Sequence, residues 1–398
     1  MLRNYRFKKN ERGFSEFTFP ILRNVVIPTS NWLFNPVIVN PENMPMTGPC
    51  FIFGNHANYF DPFLINSEMT REPTAGVMTR DQFEKTIPRL AMDSIGIVPT
   101  SKYVAEPSIV RDVFKMIDQN RMIVIFPEGG RRWDGRPKPF IETTVKLFWK
   151  MGIPVHPVQI HGSYLGWPRW ADWPRKNRMQ MNFLKPMHPS DYPDFETFSK
   201  ACNDAIDFDE YDAPESTYPF KVWKPASGVS RFLYRCPDTG MNGAIFSPDG
   251  KKVRSRYSSF SYQMDNASRL IDTDGKKHSL IDVYDKINSM PMVYVKDEKV
   301  LQAIGKKFYW LDKKTHKLSP IGKGRLILDS NEIRYTVGSL KKSLSLRDIQ
   351  AISIEQNHKL TLTSDSGTIQ VNLEGQSALQ WQLYIRRLQM DEKPVKSL

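Results

Sequence analysis

The chain has 398 residues, of which 40% are hydrophobic, and this composition excludes a disordered protein. It is long enough for two or three domains with a buried core. The 56 Lys and Arg outnumber the 43 Asp and Glu, and the net charge of +13 favours lipid head groups, nucleic acid or phosphorylated substrates as partners. Cys50, Cys202 and Cys236 are far apart and form no pairable framework, so we expect a reducing compartment.

The N-terminal segment, residues 1–35, begins with basic residues, but no apolar core with a small-residue cleavage site follows them. A secretory signal is therefore not expected. Residues 17–34 are apolar but are interrupted by Arg23, Asn24, Asn31 and two prolines, whereas a spanning helix needs about 20 nearly uninterrupted apolar residues. The segment fits an arm that lies in the membrane interface or a helix that covers the core, and both interpretations stay open.

Short apolar runs alternate with helical patterns from Val37 to about Met187. Strands are predicted over 51–53, 121–126 and 155–160, and helices over 111–119 and 145–151. This alternation implies parallel strands joined by crossovers, hence an α/β domain over 36–214 whose mostly parallel sheet is flanked by helices. Ligands of such sheets bind outside the carboxyl ends of the strands.

The pattern changes after the polar stretch 204–219 to short β-like runs broken by Asp-Gly turns, which predicts a domain boundary near residue 215. Residues 215–290 are then a β-rich connecting segment. Within 291–398, antiparallel strands are predicted over 325–328, 332–337, 349–355, 360–363 and 368–373, and a terminal helix over 377–388. Several strands closed by one helix resemble a pleckstrin-homology-like or GRAM-like module, a resemblance of pattern with no motif behind it.

The run from Gly54 to Pro62 places His56 and Asp61 five residues apart, directly after a predicted strand. Five residues turn a helix through about 500°, so we expect His56 in the loop and Asp61 at the start of the next helix. There the carboxylate can fix the imidazole tautomer and raise the basicity of the far nitrogen. Asp61 before Pro62 also fits an ordinary helix N-cap, and His56 alone also fits a structural histidine.

A second polar run, from Phe126 to Arg132, follows another predicted strand. Its adjacent glycines let backbone amides approach an anion, and Arg131 or Arg132 can hold phosphate through the planar guanidinium. Glu128 can bridge that arginine or touch a substrate hydroxyl. A surface turn with solvated charges is the alternative.

Taken in order, these runs resemble the motifs of the glycerolipid acyltransferase family, whose best-known members are the 1-acylglycerol-3-phosphate (lysophosphatidate) acyltransferases. Asn55 and His56 with Asp61 match the first motif, and residues 126–129 with Arg131 match the third. Residues 152–158, an apolar run that contains proline, are similar to the fourth. The resemblance covers roughly residues 35 to 190.

The resemblance implies that His56 is the general base, Asp61 its partner and Asn55 a supporting residue. In the second motif, Ser101 stands where the family has a phosphate-binding arginine, and the neighbouring Lys102 binds phosphate only as a point charge. The acceptor's phosphate would be held by a set of five residues: Glu128, Gly129, Gly130, Arg131 and Lys102.

The resemblance also implies that the acceptor hydroxyl attacks the thioester of acyl-CoA or acyl-carrier protein, used as co-substrate, with no cofactor and no metal. Expected partners are membrane lipids, the acyl donor and a lysolipid acceptor, without nucleic acid, in the cytoplasm at the inner face of a membrane. A non-catalytic lipid-binding scaffold that keeps the fold stays open as an alternative. So does an acyltransferase for another lysophospholipid or for a glycolipid.

Two further patterns lie outside these motifs. Cys236 with Thr239, and Ser255 with Ser258, have the spacing of two zinc knuckles with one cysteine among four positions, which at best predicts a ribbon-like fold without metal. Aromatic and basic residues form a cluster that favours a lipid head-group region but also fits a charged loop with packed aromatics. Its members are Trp167, Arg169, Trp170, Trp173, Arg175, Lys176 and Arg178.

Overall fold

The computed structural model describes residues 6–68, 71–79, 86–100, 108–211, 220–294, 299–312, 317–373 and 375–395. The chain divides into two compact units, each with sheets of its own. The first unit consists of Met1–Arg169 and Pro174–Val222, and the second of Trp170–Trp173 and Trp223–Leu398.

A mostly parallel sheet is the centre of the first unit. Its strands are β1 (Val37–Val39), β2 (Cys50–Gly54), β3 (Ala75–Thr79), β4 (Ile97–Thr100), β5 (Met122–Val124), β6 (Val155–His161) and β7 (Gln180–Phe183). Their order is β1-β7-β6-β2-β5-β3-β4, with parallel pairing at every step from β6 to β4. Only the pairing of β7 with β6 is antiparallel within this sheet. The α/β prediction is confirmed, and the three predicted strands correspond to β2, β5 and β6.

The helices of the first unit are α1 (Thr18–Phe34), α2 (Asp61–Glu68), α3 (Thr86–Ser94), α4 (Ser108–Asp118), α5 (Glu142–Met151), α6 (Ser163–Gly166) and α7 (Phe195–Ala205). Both predicted helices are confirmed, as α4 and α5. The apolar segment 17–34 forms α1, which buries Thr18, Ser30 and Phe34 and leaves most of its other side chains partly or fully exposed. Among the described helices, none is long and apolar enough to cross a membrane.

Side chains of β2 alternate between two hydrophobic cores, one on each face of the sheet. Cys50 and Ile52 pack with residues of α1 and α2, whereas Phe51 and Phe53 pack with Phe148 of α5 and with α4 and α7. A strand that is buried on both faces has an uninterrupted apolar sequence. β2 has this sequence pattern, and the pattern predicted the strand. The end of β2 is therefore a rigid base for the residues that follow it.

The second unit contains two antiparallel sheets. The first is formed by β8 (Ile245–Phe246), β9 (Lys252–Ser255), β10 (Ser261–Met264), β11 (Leu270–Ile271) and β12 (Lys277–His278), and α8 (Leu280–Ser289) follows it. The second is formed by β13 (Leu301–Asp312), β14 (Lys317–Leu328), β15 (Glu332–Val337), β16 (Leu340–Ser345), β17 (Ile349–Glu355), β18 (Lys359–Ser364) and β19 (Gly367–Asn372). Its order is β16-β15-β14-β13-β19-β18-β17, and α9 (Ala378–Gln389) follows it. The β-rich region with a terminal helix is confirmed, and its likeness to a pleckstrin-homology module stays a prediction.

The four positions of the degenerate zinc-knuckle pattern lie together in the second unit. Cys236 Sγ is 3.3 Å from Ser255 Oγ and 3.2 Å from Ser258 Oγ. Burial raises the pKa of the thiol, but the hydrogen bonds from these two hydroxyls and from Thr239 outweigh it and lower the pKa to about 7. Within the described ranges, no group of three or more His, Cys, Asp or Glu side chains is placed to hold a metal ion. In this structure, hydrogen bonds between the serine hydroxyls and the Cys236 sulfur join the two halves of the pattern.

Candidate active site

Three neighbouring strands of the first unit end at one edge of the sheet, and a polar residue follows each of them. His56 comes after β2, Glu128 after β5 and Ser163 after β6. Since β6, β2 and β5 are adjacent and parallel, their carboxyl ends lie side by side. This is the edge at which α/β sheets bind their ligands.

His56 and Asp61 form a hydrogen bond at this edge. His56 Nδ1 lies 2.9 Å from Asp61 Oδ2, and the same oxygen accepts the backbone N–H groups of Ala57 and Asn58, both at 2.8 Å. Asp61 is the first residue of α2 and is fully buried, whereas the His56 side chain keeps 21% of its surface exposed. The carboxylate thus closes the loop as a helix cap does and also orients the imidazole.

Ser163 holds the second oxygen of the Asp61 carboxylate. Its hydroxyl donates to Asp61 Oδ1 at 2.5 Å, and its backbone carbonyl accepts from the Asn58 side chain at 3.2 Å. Ser163 is fully buried, at the start of α6. Sequence reasoning missed this residue; its position directly after the predicted strand 155–160 was the available signal.

Asn55 and Phe126 hold His56 from two sides. The Asn55 side chain donates to Ile160 O at 3.1 Å and accepts from Ile160 N at 2.8 Å, so it continues the ladder between β2 and β6. The Phe126 ring stacks on the imidazole with centroids 4.3 Å apart and an interplanar angle of 21°. Asn55 thus anchors the backbone directly before His56, and its supporting role stays a prediction.

Glu128 is paired with Arg132, so its predicted contact with the acceptor's phosphate does not fit the structure. Arg132 Nε and Nη2 lie 2.9 and 2.7 Å from Glu128 Oε1, and neither side chain has exposed surface. Burial raises the pKa of Glu128, and the hydrogen bond and charge of Arg132 and the backbone N–H of His56 act against that rise. Glu128 thereby takes the arginine-bridging role that the sequence left open.

Arg132 has no N–H group left for a phosphate. Nη1 donates to Gly135 O and Phe208 O, Nη2 donates to Ile206 O as well as to Glu128, and Nε donates to Glu128. Because an arginine side chain carries five N–H donors, this set uses all of them. Of the two arginines that the sequence left open, Arg131 is therefore the candidate for an anion.

The glycine turn is also placed differently from the expectation. The Gly129 amide donates to Phe126 O at 3.1 Å, so it closes the turn itself and does not face an anion. Gly129 has a φ of +66°, and a Cβ there would lie 2.3 Å from the Ile141 side chain, so the turn requires glycine. A Cβ on Gly130 would meet no atom within 4 Å.

Arg131 lies near Tyr59 and Asp61. Its Cζ is 5.9 Å from the centroid of the Tyr59 ring. Burial lowers the pKa of Arg131, and the negative charge of Asp61 opposes that shift. Lys102, the other predicted cation of the site, lies outside the described residues.

The predicted aromatic and basic cluster does not form one exposed surface. Trp170 and Arg175 are buried, whereas Trp173, Lys176 and Arg178 are exposed. Arg169 Nη1 donates to the Arg131 carbonyl at 2.9 Å, and its Cζ lies 4.5 Å from the centroid of the Trp133 ring. Arg169 therefore contacts the backbone of the turn that carries Arg131, a position that sequence reasoning did not predict.

Glu210 supports the turn that carries Ser163. Its Oε2 accepts the Gly162 amide at 2.9 Å, directly before α6. Burial raises the pKa of Glu210 to about 8, and the charge of Asp61 adds to the rise, while the Tyr164 amide and Arg132 oppose it. Sequence reasoning did not find Glu210, because it lies far along the chain in a polar stretch without a motif.

The fold and the site together define the class of protein. It is an α/β domain with a histidine–aspartate pair and an arginine at one edge of its sheet. Residues 35–161 match the family model described as Acyltransferase. This match confirms, for this domain, the resemblance to acyltransferases that its motifs show.

Two proteins with related sequences are named 1-acyl-sn-glycerol-3-phosphate acyltransferases. The chain is 25% identical over 125 residues to 1-acyl-sn-glycerol-3-phosphate acyltransferase BAT2, chloroplastic, of Brassica napus, covering 31% of this chain and 36% of that protein. It is 29% identical over 169 residues to a 1-acyl-sn-glycerol-3-phosphate acyltransferase of Limnanthes alba, covering 40% of this chain and 58% of that protein. A crystal structure of the 1-acyl-sn-glycerophosphate acyltransferase of Thermotoga maritima aligns at 19% identity and a TM-score of 0.42, over 48% of this chain and 78% of that one. These sequence matches span about a third to three fifths of the relatives' length.

Replacement of Arg132 by methionine is expected to destabilise the protein by about 3–5 kcal/mol, because the buried Glu128 carboxylate loses its counter-ion. The double variant Glu128→Gln with Arg132→Met is expected to lose less stability than the sum of the two single changes. Urea unfolding at pH 7 measures both. Arg136→Met is the matched control: its partner Asp134 is part exposed, so we expect a loss below about 1 kcal/mol. Equal losses of stability for Arg132→Met and Arg136→Met would contradict the assignment of Glu128 and Arg132 as a buried ion pair.

Proposed function

We propose that this chain transfers a fatty acyl group from a thioester donor to the free hydroxyl of lysophosphatidate, with His56 as general base. The observation that carries the proposal is the hydrogen bond of His56 Nδ1 to a fully buried carboxylate that two amides and a serine hold in place. The names of the related proteins give the acceptor class.

The hydrogen-bond pattern around Asp61 defines the tautomer of His56. An ionised carboxylate only accepts hydrogen bonds, so Nδ1 carries the hydrogen in the neutral ring and Nε2 carries the lone pair. Nε2 is therefore the nitrogen that takes a proton from an acceptor hydroxyl. Asp61 then stabilises the imidazolium that results, as the carboxylate does in serine hydrolase triads.

The reaction proceeds by direct attack. As Nε2 removes its proton, the acceptor oxygen bonds to the thioester carbonyl carbon and the carbonyl electrons move to oxygen. The tetrahedral intermediate collapses, the carbon–sulfur bond breaks, and the leaving thiolate takes the proton from His56. Acyl-CoA and acyl-carrier protein both supply such a thioester, and the ester and free thiol are the products. No acyl-enzyme is required, since the histidine activates the acceptor itself.

Arg131 is the residue that we propose for the acceptor's phosphate. It lies over Tyr59 and near Asp61, the hydrogen-bond partner of the proposed base. Further aromatic side chains lie next to Tyr59. The centroid of the Trp167 ring is 6.3 Å from the Tyr59 centroid and 6.0 Å from the Phe60 centroid. A cationic group beside an apolar wall suits an acceptor with a phosphate and an acyl chain.

Replacing His56 by alanine is expected to lower kcat by about 10²- to 10⁴-fold, because the step loses its general base. Asp61→Asn is expected to reduce kcat as well, since an amide favours the wrong tautomer. Initial rates with detergent-dispersed lysophosphatidate and acyl-CoA, or acyl-carrier protein, measure both. His188→Ala changes an exposed histidine and is the control, and its rate is expected to equal that of wild type. Equal turnover by wild type and His56→Ala would rule out the mechanism, and lipid binding without turnover by wild type would favour a scaffold.

We further propose that α1 holds the enzyme at the inner face of a membrane. Phe17, Ile21, Val25 and Trp32 lie on one side of this helix, with 71, 53, 62 and 64% of their surface exposed. Lys176 Nζ lies 5.1 Å from the Trp32 ring, which adds a cation next to the apolar side chains. Apolar groups flanked by basic ones bind anionic lipid interfaces.

Co-sedimentation with phosphatidylglycerol vesicles tests this second proposal. Ile21→Glu with Val25→Glu is expected to reduce the pelleted fraction, because the charges oppose insertion of the helix face. Val110→Glu, an exposed position on α4, is the control for the change in charge. Equal pelleting of all three proteins would contradict membrane attachment through α1.

A further inference from the structure

The segment 206–211, which follows α7, packs against the carboxyl edge of the sheet. Arg132 donates to Ile206 O at 3.2 Å and to Phe208 O at 3.1 Å, and its Cζ lies 5.5 Å from the centroid of the Phe208 ring. The centroid of the same ring lies 4.2 Å from that of His161, the last residue of β6. The segment is thus held by the loop after β5 and by the end of β6, the two strands on either side of β2.

This segment brings a buried carboxyl group, that of Glu210, to the turn between β6 and α6. Glu210 Oε2 accepts the Gly162 amide at 2.9 Å, and Ser163 is the next residue of the chain. Gly162 has a φ of +79°, a conformation that glycine adopts without strain. Because Glu210 fixes the amide of Gly162, it also fixes the direction in which the backbone enters Ser163.

Hydrogen bonds connect this turn with the proposed base. The Ser163 hydroxyl donates to Asp61 Oδ1 at 2.5 Å, and Asp61 Oδ2 lies 2.9 Å from His56 Nδ1. Ser163 and Asp61 are both fully buried, so water does not replace the hydrogen bond between them. A displacement of Ser163 therefore moves the carboxylate that orients the imidazole, and small displacements of catalytic groups reduce reaction rates.

We propose that Glu210 is a positioning residue for the proposed base: it holds Ser163 in place, and through Ser163 the carboxylate that orients His56. The inference rests on the proposed function. Glu210 lies beyond residues 35–161, which match the acyltransferase family model, so the segment 206–211 adds a support to the site from outside the matched part of the chain.

The Glu210 carboxyl group is suited to this role as a neutral group. Burial raises the pKa of Glu210 to about 8, and the charge of Asp61 adds to the rise, whereas backbone amides and Arg132 oppose it. Glu210 Oε1 is buried and has no hydrogen-bond partner in the described part of the chain. A neutral carboxyl group holds the Gly162 amide without placing a second negative charge near Asp61. The amide oxygen of glutamine is an acceptor of the same kind, so Glu210→Gln is expected to keep the interaction.

Initial rates of acyl transfer to lysophosphatidate test the assignment. Glu210→Met fills the same space without an acceptor oxygen and is expected to lower kcat roughly 10-fold, with little change in KM, whereas Glu210→Gln keeps the wild-type kcat. The double variant Glu210→Met with Ser163→Ala is expected to be no slower than the slower single variant, because both residues act on one carboxylate. Asp207→Ala removes an exposed carboxylate from the same segment and is the matched control, with unchanged kcat.

Three kinetic results would overturn the proposal: a wild-type kcat for Glu210→Met, losses in the double variant that multiply, or a loss for Asp207→Ala equal to that for Glu210→Met. Should Glu210→Met fail to fold, Glu210→Gln decides, since a loss of kcat as large as that of Ser163→Ala would overturn the role of the acceptor oxygen.

A measurement on the imidazole ring separates this proposal from the proposed function. In ¹⁵N NMR of protein labelled in its histidine rings, Glu210→Met is expected to raise the fraction of neutral His56 with its hydrogen on Nε2, though less than Asp61→Asn does. Glu210→Gln and Asp207→Ala are expected to keep the wild-type fraction. That result would support the positioning role even if wild type acylated no acceptor. A wild-type fraction in Glu210→Met, beside a changed one in Asp61→Asn, would overturn it.

Discussion

The backbone of His56 is held on both sides by the buried ion pair of Glu128 and Arg132. The His56 N–H hydrogen-bonds to the Glu128 carboxylate, and the His56 carbonyl accepts the backbone amide of Arg132 at 2.8 Å. The side chains of the pair are bound to each other and have no exposed surface. A buried charge pair is costly unless every donor is satisfied, and Arg132 meets this condition with three backbone carbonyls besides Glu128. The loop after β5 therefore fixes the loop after β2.

Because of this ion pair, the charged residues at the sheet edge have separate roles. Because Glu128 and Arg132 neutralise each other, Asp61 is the carboxylate that orients the imidazole. The stacked ring of Phe126 comes from the same loop as the ion pair, so one segment sets both the backbone and the ring plane of His56. Motifs that lie about 70 residues apart in sequence thus act as one structure that fixes the position of His56.

The features of the structure that depend on local geometry were predictable from local sequence patterns. β2 and β5 are apolar and buried on both faces, β6 is a mixed strand with buried Val155, Val158 and Ile160, and the five-residue spacing of His56 and Asp61 fits a loop followed by a helix start. Contacts between distant segments were not predictable in this way, which is why Ser163, Glu210 and the place of Arg169 were missed. The same limit applies to Glu128, whose partner is chosen by packing. β13 and β16 were missed for a different reason: β13 has register shifts after Gly305, and β16 is an edge strand with mostly exposed residues.

The central claim is that Asp61 fixes His56 with the hydrogen on Nδ1, and ¹⁵N NMR of protein labelled in its histidine rings tests it most directly. At a pH where the ring of His56 is neutral, the account predicts a protonated Nδ1 and an unprotonated Nε2, with a marked change of the tautomer ratio in Asp61→Asn. A neutral ring with its hydrogen on Nε2, or the same tautomer ratio in both proteins, would contradict the assignment of His56 as a base oriented by Asp61.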